Sequence, residues 1–217
     1  MTRDMTTLAA TPMTAEELAP LSIPGKSFEL VRGQLVVREP PGSWHGMVQA
    51  NLAWLVTGFV RRHALGVVFG QDTGFRIRSD PDTVRGADLA FVAADRAALI
   101  PRRGYAALAP DLVAEILSPD DRPGEVLAKI ADWLDAGTRL VWVIDPERSE
   151  ARVHRADGTI AIVRGDDALD GEGGDNPKTH VSRQFRFISP GLFATMGTRL
   201  VAGRDFTWTD VYDRRDV

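Results

Sequence analysis

Three carboxylates stand in otherwise hydrophobic stretches of this chain: Glu29 in SFELV, Asp88 in GADLAFV and Glu115 in LVAEILS. An ionised carboxylate inside a sheet is costly to bury unless it is paired, hydrogen-bonded or bound to a cation. At the ends of neighbouring strands, the three can converge on one hard divalent ion. Mg²⁺ suits such a set, because it takes one or two carboxylates and fills its shell with waters and phosphate oxygens; Mn²⁺ accepts the same ligands. Taken singly, each acid is also accounted for by a salt bridge to an arginine or by a strand end in water.

Lys129 adds a cation to this set. Of the 26 basic residues only Lys26, Lys129 and Lys178 are lysines, and the other 23 are arginines. A codon bias toward arginine explains the scarcity, but the two side chains are not chemically interchangeable. On a helix starting at Pro123, the apolar stripe is Val126, Ile130, Trp133 and Leu134. At about 100° per residue, Lys129 lies roughly 40° from Trp133 and borders that stripe. The helix follows the Glu115 strand directly, so the lysine can lean back over the strand's end. An ammonium there can orient a water and neutralise charge on phosphoryl oxygens; the alternative is a lysine whose stem covers apolar surface.

The elements that must position these residues follow from periodicity and punctuation. Thr14-Ala-Glu-Glu17 fits a capping box opening a helix. Phe28–Val31 and Gln34–Val37 flank Arg32-Gly33 as a hairpin. From about Ser43 to Ala64, Met47, Val48, Leu52, Leu55, Phe59 and Val60 recur at helical spacing. Short strands are expected near Val67–Phe69, Gly74–Ile77 and Asp88–Val92, and the Asp111–Leu117 run is a buried strand. Ser118-Pro119-Asp120-Asp121 ends that run and is expected to cap a helix over Pro123–Ala136, stopped at Gly137. Leu140–Ile144 is another buried strand, and Ala151–His154 with Ile160–Val163 closes as a hairpin around Asp157-Gly158. This order predicts an α/β (α+β) domain with a mixed sheet flanked by helices.

Composition narrows the function classes. At 217 residues, 44% hydrophobic and 26% charged, the chain is long enough for one domain with a real core. No run of about eighteen apolar residues predicts a membrane span, and the N-terminus lacks a signal-type apolar stretch, so the cytoplasm is the expected location. With no cysteine there is neither a disulfide nor a thiolate zinc site. Residues 176–217 carry seven basic and four acidic groups, leaving nineteen against twenty-six in the first 175. An acidic body is not built to hold nucleic acid by counterion release alone. Gly165–Gly174 is polar and glycine-rich, a linker by composition.

The segments FELVRGQLVV, ADLAFV, PDLVAEILSP and KIADWLDAGTRLVWVIDPERSEARVHR resemble the Uma-type endonucleases, a branch of the PD-(D/E)XK nuclease superfamily, over about residues 13–172. The resemblance implies a restriction-endonuclease-like core that hydrolyses DNA with Mg²⁺, working as a homodimer where both strands are cut. Position by position, Asp88 matches the first acid and Glu115 the second. Lys129 matches a lysine carried on the following helix, since Leu117 occupies the usual strand position. Glu29 matches the acid of the opening hairpin, as a further metal or water ligand. His45 falls where the family often has a histidine, with Gln49 one turn on; both are candidates to face the substrate, or are exposed polar residues. Ser118 contacts phosphate or caps the helix, while His63, His154 and His180 have no partner pattern. Ala87 stands where the family has proline.

Residues 173–217 depart from that family. Phe187–Phe193 and Gly203–Thr207 resemble a fragment of the periplasmic core domain of macrolide-exporter-type ABC transporter permeases, over about thirty residues. No transport function is expected of so short a piece. Two functions follow from the sequence: a Mg²⁺-dependent DNA endonuclease, or a catalytically inactive nucleic-acid- or protein-binding module of the same fold.

Overall fold

The structure, a computed structural model, describes residues 12–164; the segment from 173 to 217, and His180 with it, lies outside the described residues. The capping box forms: Glu17 N–H donates to Thr14 Oγ1 at 3.2 Å and Thr14 N–H to Glu17 at 2.8 Å, opening the short helix α1 (Ala15–Leu18). β1 (Ser27–Val31) and β2 (Gln34–Arg38) form the expected hairpin. Arg32 and Gly33 both take positive φ, 50° and 76°, as a turn matched to the twist of the strands requires. Then come α2 (Ser43–Arg62), β3 (Gly66–Phe69), β4 (Thr73–Arg78), β5 (Thr83–Ala87), β6 (Leu89–Ala93) and a 3₁₀ turn over Ala94–Leu99. The rest of the order is β7 (Leu112–Ile116), α3 (Pro123–Asp135), β8 (Leu140–Asp145), β9 (Glu150–Arg155) and β10 (Ile160–Arg164).

The expected mixed sheet is present, but a second sheet stands beside it. β2-β1-β5-β4 is a four-stranded antiparallel sheet, and β10-β9-β8-β7-β6-β3 is a six-stranded mixed sheet in which only β7 and β8 run parallel. The strand behind this correction is β5, TVRGA, which no apolar alternation announces. Arg85 sits at its centre, 4% exposed, and is stabilised there by ion pairs that the sequence does not reveal.

Helices α2 and α3 cover opposite faces of the six-stranded sheet. Leu112, Ala114 and Ile116 of β7 pack with Val48, Leu52, Val56 and Val60 of α2. Val113, Val141 and Val143 point the other way, onto Ile130 and Trp133 of α3. The period-two alternation of β7 therefore places Glu115 on the same side as Val113, beneath α3. Phe75 of β4 joins this second core, its ring 6.4 Å from that of Trp133, and ties the smaller sheet to α3.

Two local expectations are corrected. Ser118 and Asp121 do not cap α3: its N-cap is Arg122, without a side-chain cap bond, and Asp121 instead accepts the Ser118 N–H at 2.7 Å. Pro123 supplies the start, because its fixed φ suits the first helical position. Asp88 is not inside a strand; it lies between β5 and β6, where the chain leaves one sheet for the other.

Candidate active site

The two sheets and the ends of both long helices enclose a cleft of about 860 Å³. Glu29, Asp88, Glu115, Lys129, His45 and Ser118 all line it. Each reaches it from a different element: β1, the β5–β6 junction, β7, α3, the first turn of α2 and the loop after β7. Gln49 is not on the lining, but its Nε2 donates to the backbone carbonyl of Asp88 at 3.2 Å. The residues singled out in the sequence are thus brought together, across separations of up to 100 positions.

Asp88 is held by one oxygen. Its Oδ2 accepts the Ile116 N–H at 2.7 Å and meets His45 Nε2 at 3.2 Å. Because a carboxylate only accepts, His45 carries its proton on Nε2. Its Nδ1 is buried without a partner among the described residues, so an unprotonated nitrogen there avoids stranding an N–H donor. The bond to Asp88 raises the pKa of His45 against the opposing effect of burial. Both of these Asp88 contacts fall on the same carboxylate oxygen.

Glu115 is fixed through both oxygens. Lys129 Nζ donates to Oε2 at 2.8 Å and the Trp133 indole N–H to Oε1 at 2.9 Å. Lys129 and Trp133 are four residues apart on α3, so one face of the helix delivers both donors to one carboxylate. Trp133 was legible only as part of the apolar stripe. The signal for its second role is that a buried indole N–H needs an acceptor.

Glu29 is the most heavily paired of the three acids. Its oxygens accept from Arg85 at 2.9 Å and the Gly86 N–H at 3.0 Å, and lie 3.3 Å from Lys129 and 3.6 Å from Arg38. Burial would raise its pKa, but Lys129, Arg85, the Gly86 N–H and Arg38 together hold it below the usual carboxylate range. Arg85 also reaches Asp132 on α3, Nε to Oδ2 at 3.0 Å. Neither Arg85 nor Asp132 was singled out in the sequence. Because TVRGA does not read as a strand, Arg85 leaves no signal, and Asp132 leaves only its place on the lysine's helix.

This arrangement revises the expected metal centre. Among the described residues no three His, Asp or Glu side chains are grouped to hold one ion. Lys129 stands between Glu29 and Glu115, and the arginines already neutralise Glu29. The donors that remain, Asp88 and Glu115, are hard oxygens suited to Mg²⁺ or Mn²⁺ with water filling the shell. That two-carboxylate set fits such an ion; the three-carboxylate set does not.

Burial raises the pKa of Glu115, to about 7; Asp88 and Glu29 add to this and Lys129 opposes it. Between about pH 4.5 and 7 the folded metal-free protein therefore keeps a proton that the unfolded chain has lost, and this group's stabilising effect fades as pH rises through that window. A cation needs the carboxylate form. Mn²⁺ affinity measured by calorimetry is expected to fall at least tenfold between pH 8 and pH 6, and Glu115→Gln to bind weakly at both. An unchanged affinity across that range would rule out Glu115 as the titrating ligand.

Two sheets flanked by helices, one four-stranded and one mixed, make a restriction-endonuclease-like nuclease fold. A structure titled as a putative nuclease belonging to DUF820 from Anabaena variabilis is similar, with TM-score 0.60 and 25% identity over 73% of this chain and 88% of that one. No curated protein matches the chain. The family model described as "Putative restriction endonuclease" matches residues 15–173. The chain belongs to that family, Uma2. No helix among the described residues is long and apolar enough to cross a membrane.

Proposed function

We propose that this protein is a metal-dependent endonuclease that hydrolyses DNA phosphodiester bonds. Asp88 and Glu115 would hold the divalent ion, and Lys129 would stabilise the reacting phosphate. The observation that carries the reading is the position of Lys129 Nζ, 2.8 Å from Glu115 and 3.3 Å from Glu29, in the cleft that also holds Asp88. A bound Mg²⁺ would supply Lewis-acid charge and a water of lowered pKa.

The chain's own groups do the rest. The Ile116 N–H and His45 fix the Asp88 carboxylate, while Trp133 and Lys129 fix that of Glu115. Burial opposes the charged form of Lys129, but Glu115, Glu29 and Asp88 overcome it and raise its pKa. Lys129 is therefore a permanent ammonium at neutral pH, able to orient a water and offset phosphoryl charge, and not a general base. Glu29 is a positioning residue in this scheme: pinned by Arg85 and Gly86, it holds Lys129 from the side opposite Glu115.

Nicking of supercoiled plasmid with Mg²⁺ or Mn²⁺ tests the proposal. Asp88→Asn keeps an acceptor for the Ile116 N–H but loses the charge, and is expected to cut at least 100-fold more slowly than wild type. Nicking that survives this substitution would sink the site assignment. Clean, folded wild-type protein that cuts no DNA with either ion would favour the inactive binding module.

A further inference from the structure

Among the described residues, nine carboxylates and only two full cations, Arg38 and Lys129, line the cleft. Both cations are already engaged: Lys129 with Glu115 and Glu29, and Arg38 with Glu29 and Glu125 at 3.6 and 3.5 Å. The adjoining pocket, which shares Leu117, Ser118 and Asp121, offers Arg148 and Arg152, paired in turn with Asp145 and Glu150. Duplex DNA brings about one charge per 1.7 Å of axis and is held mainly by cations that displace its counterions. A cleft so acidic, with its cations committed to carboxylates, is poorly built to track a duplex backbone.

One lining residue offers another kind of contact. Trp44, in the first turn of α2 and next to His45, is 49% exposed and lines the cleft beside Pro40 and Pro41. Burial does not account for it, since α2 packs on the sheet through Val48, Leu52, Val56 and Val60. An aromatic face on a cleft wall can stack any base that is free of its own stack, whatever the sequence, and continuous duplex offers no such base.

We propose that Trp44 is the base-stacking platform of this cleft, and that its substrate is an unpaired nucleotide, in single-stranded DNA or at a splayed position, in preference to continuous duplex. The inference deepens the nuclease reading and rests on it for the substrate's class. A base on Trp44 would place the neighbouring phosphate toward Asp88, which His45 links to the same turn of α2. Specificity then comes from access to the base.

The test uses the full chain and a short single-stranded oligonucleotide, compared with the same sequence as a duplex. Binding is read by the anisotropy of a fluorophore-labelled oligonucleotide, with Ca²⁺ in place of Mg²⁺ so that cleavage does not interfere. Trp44→Ala is expected to weaken single-strand binding by about 5- to 100-fold, Trp44→Phe to restore most of it, and duplex to bind more weakly than single strand. In the cleaving protein, Trp44→Ala should raise KM with little change in kcat. Equal single-strand affinity for Trp44→Ala and its parent, or duplex bound or cut as well as single strand, would overturn the inference. Cleavage of duplex that ignores Trp44 leaves the nuclease reading standing and removes this one. Trp44-dependent binding without cleavage on any DNA does the reverse.

Discussion

Lys129→Ala is expected to lower plasmid nicking by at least 10²–10³-fold and, at pH 8, to lower thermal stability as well. The activity loss follows from removing the only ammonium, among the described residues, within reach of both Glu115 and Glu29; deletion of one preorganised charge-stabilising donor costs about that much in other hydrolases. The stability loss follows from burial. Glu115 is 8% exposed, and without Lys129 its carboxylate retains, among the described residues, only the Trp133 N–H. It responds by keeping its proton, so the variant's deficit should shrink as pH falls from 8 toward 5.5 and Glu115 becomes neutral. Melting curves at the two pH values separate the roles. If nicking at pH 8 returns at a temperature where the variant is fully folded, Lys129 is structural; if it stays lost there, the ammonium acts on the phosphate.

The largest effect on stability is expected at Arg85, a residue that touches no proposed substrate. Its guanidinium joins Glu29 on β1 to Asp132 on α3, and so links the smaller sheet to the helix that carries Lys129. Arg85→Met leaves two carboxylates behind, one of them only 4% exposed. Breaking a buried pair from one side costs about 3–5 kcal/mol, which for a domain of this size is a fall of roughly 6–20 °C in Tm. Adding Glu29→Gln should recover a large part of the loss, because the uncompensated charge is then gone. The sign with pH is opposite to that of Glu115. The Glu29 pKa is depressed, so its pairing stabilises above the ordinary carboxylate pKa and is lost as pH falls through the depressed value. The penalty of Arg85→Met should accordingly be largest at neutral pH and diminish in acid. A Tm within 2 °C of wild type at pH 7.5 would show that these ion pairs contribute nothing net.

The elements that carry the chemistry were mostly readable from local pattern. The β1–β2 turn, α2, β7 and α3 each have a periodicity or a terminating residue that does not depend on distant contacts. Glu29, Asp88 and Glu115 stood out because a carboxylate in an apolar run contradicts its surroundings, and Lys129 because it borders an apolar stripe. β5 was not readable, since TVRGA has neither alternation nor length, and the Arg85 that interrupts it becomes tolerable only beside Glu29 and Asp132. The cap of α3 failed for a similar reason: Ser118 and Asp121 satisfy each other within the loop instead of the helix end.

By itself, the sequence determined which side chains are chemically anomalous and which elements bear them, because both follow from neighbours within a few residues. It could not determine what those side chains do to one another. Glu29 read as a third metal ligand, yet in the folded chain Arg85 and Lys129 claim it, and Trp133 turns from core filler into a donor to Glu115. Those pairings join residues from different strands and helices, separated by 18 to 100 positions, and the free energy of a buried charge depends on which partner arrives within about 3 Å. The tertiary structure alone decides that.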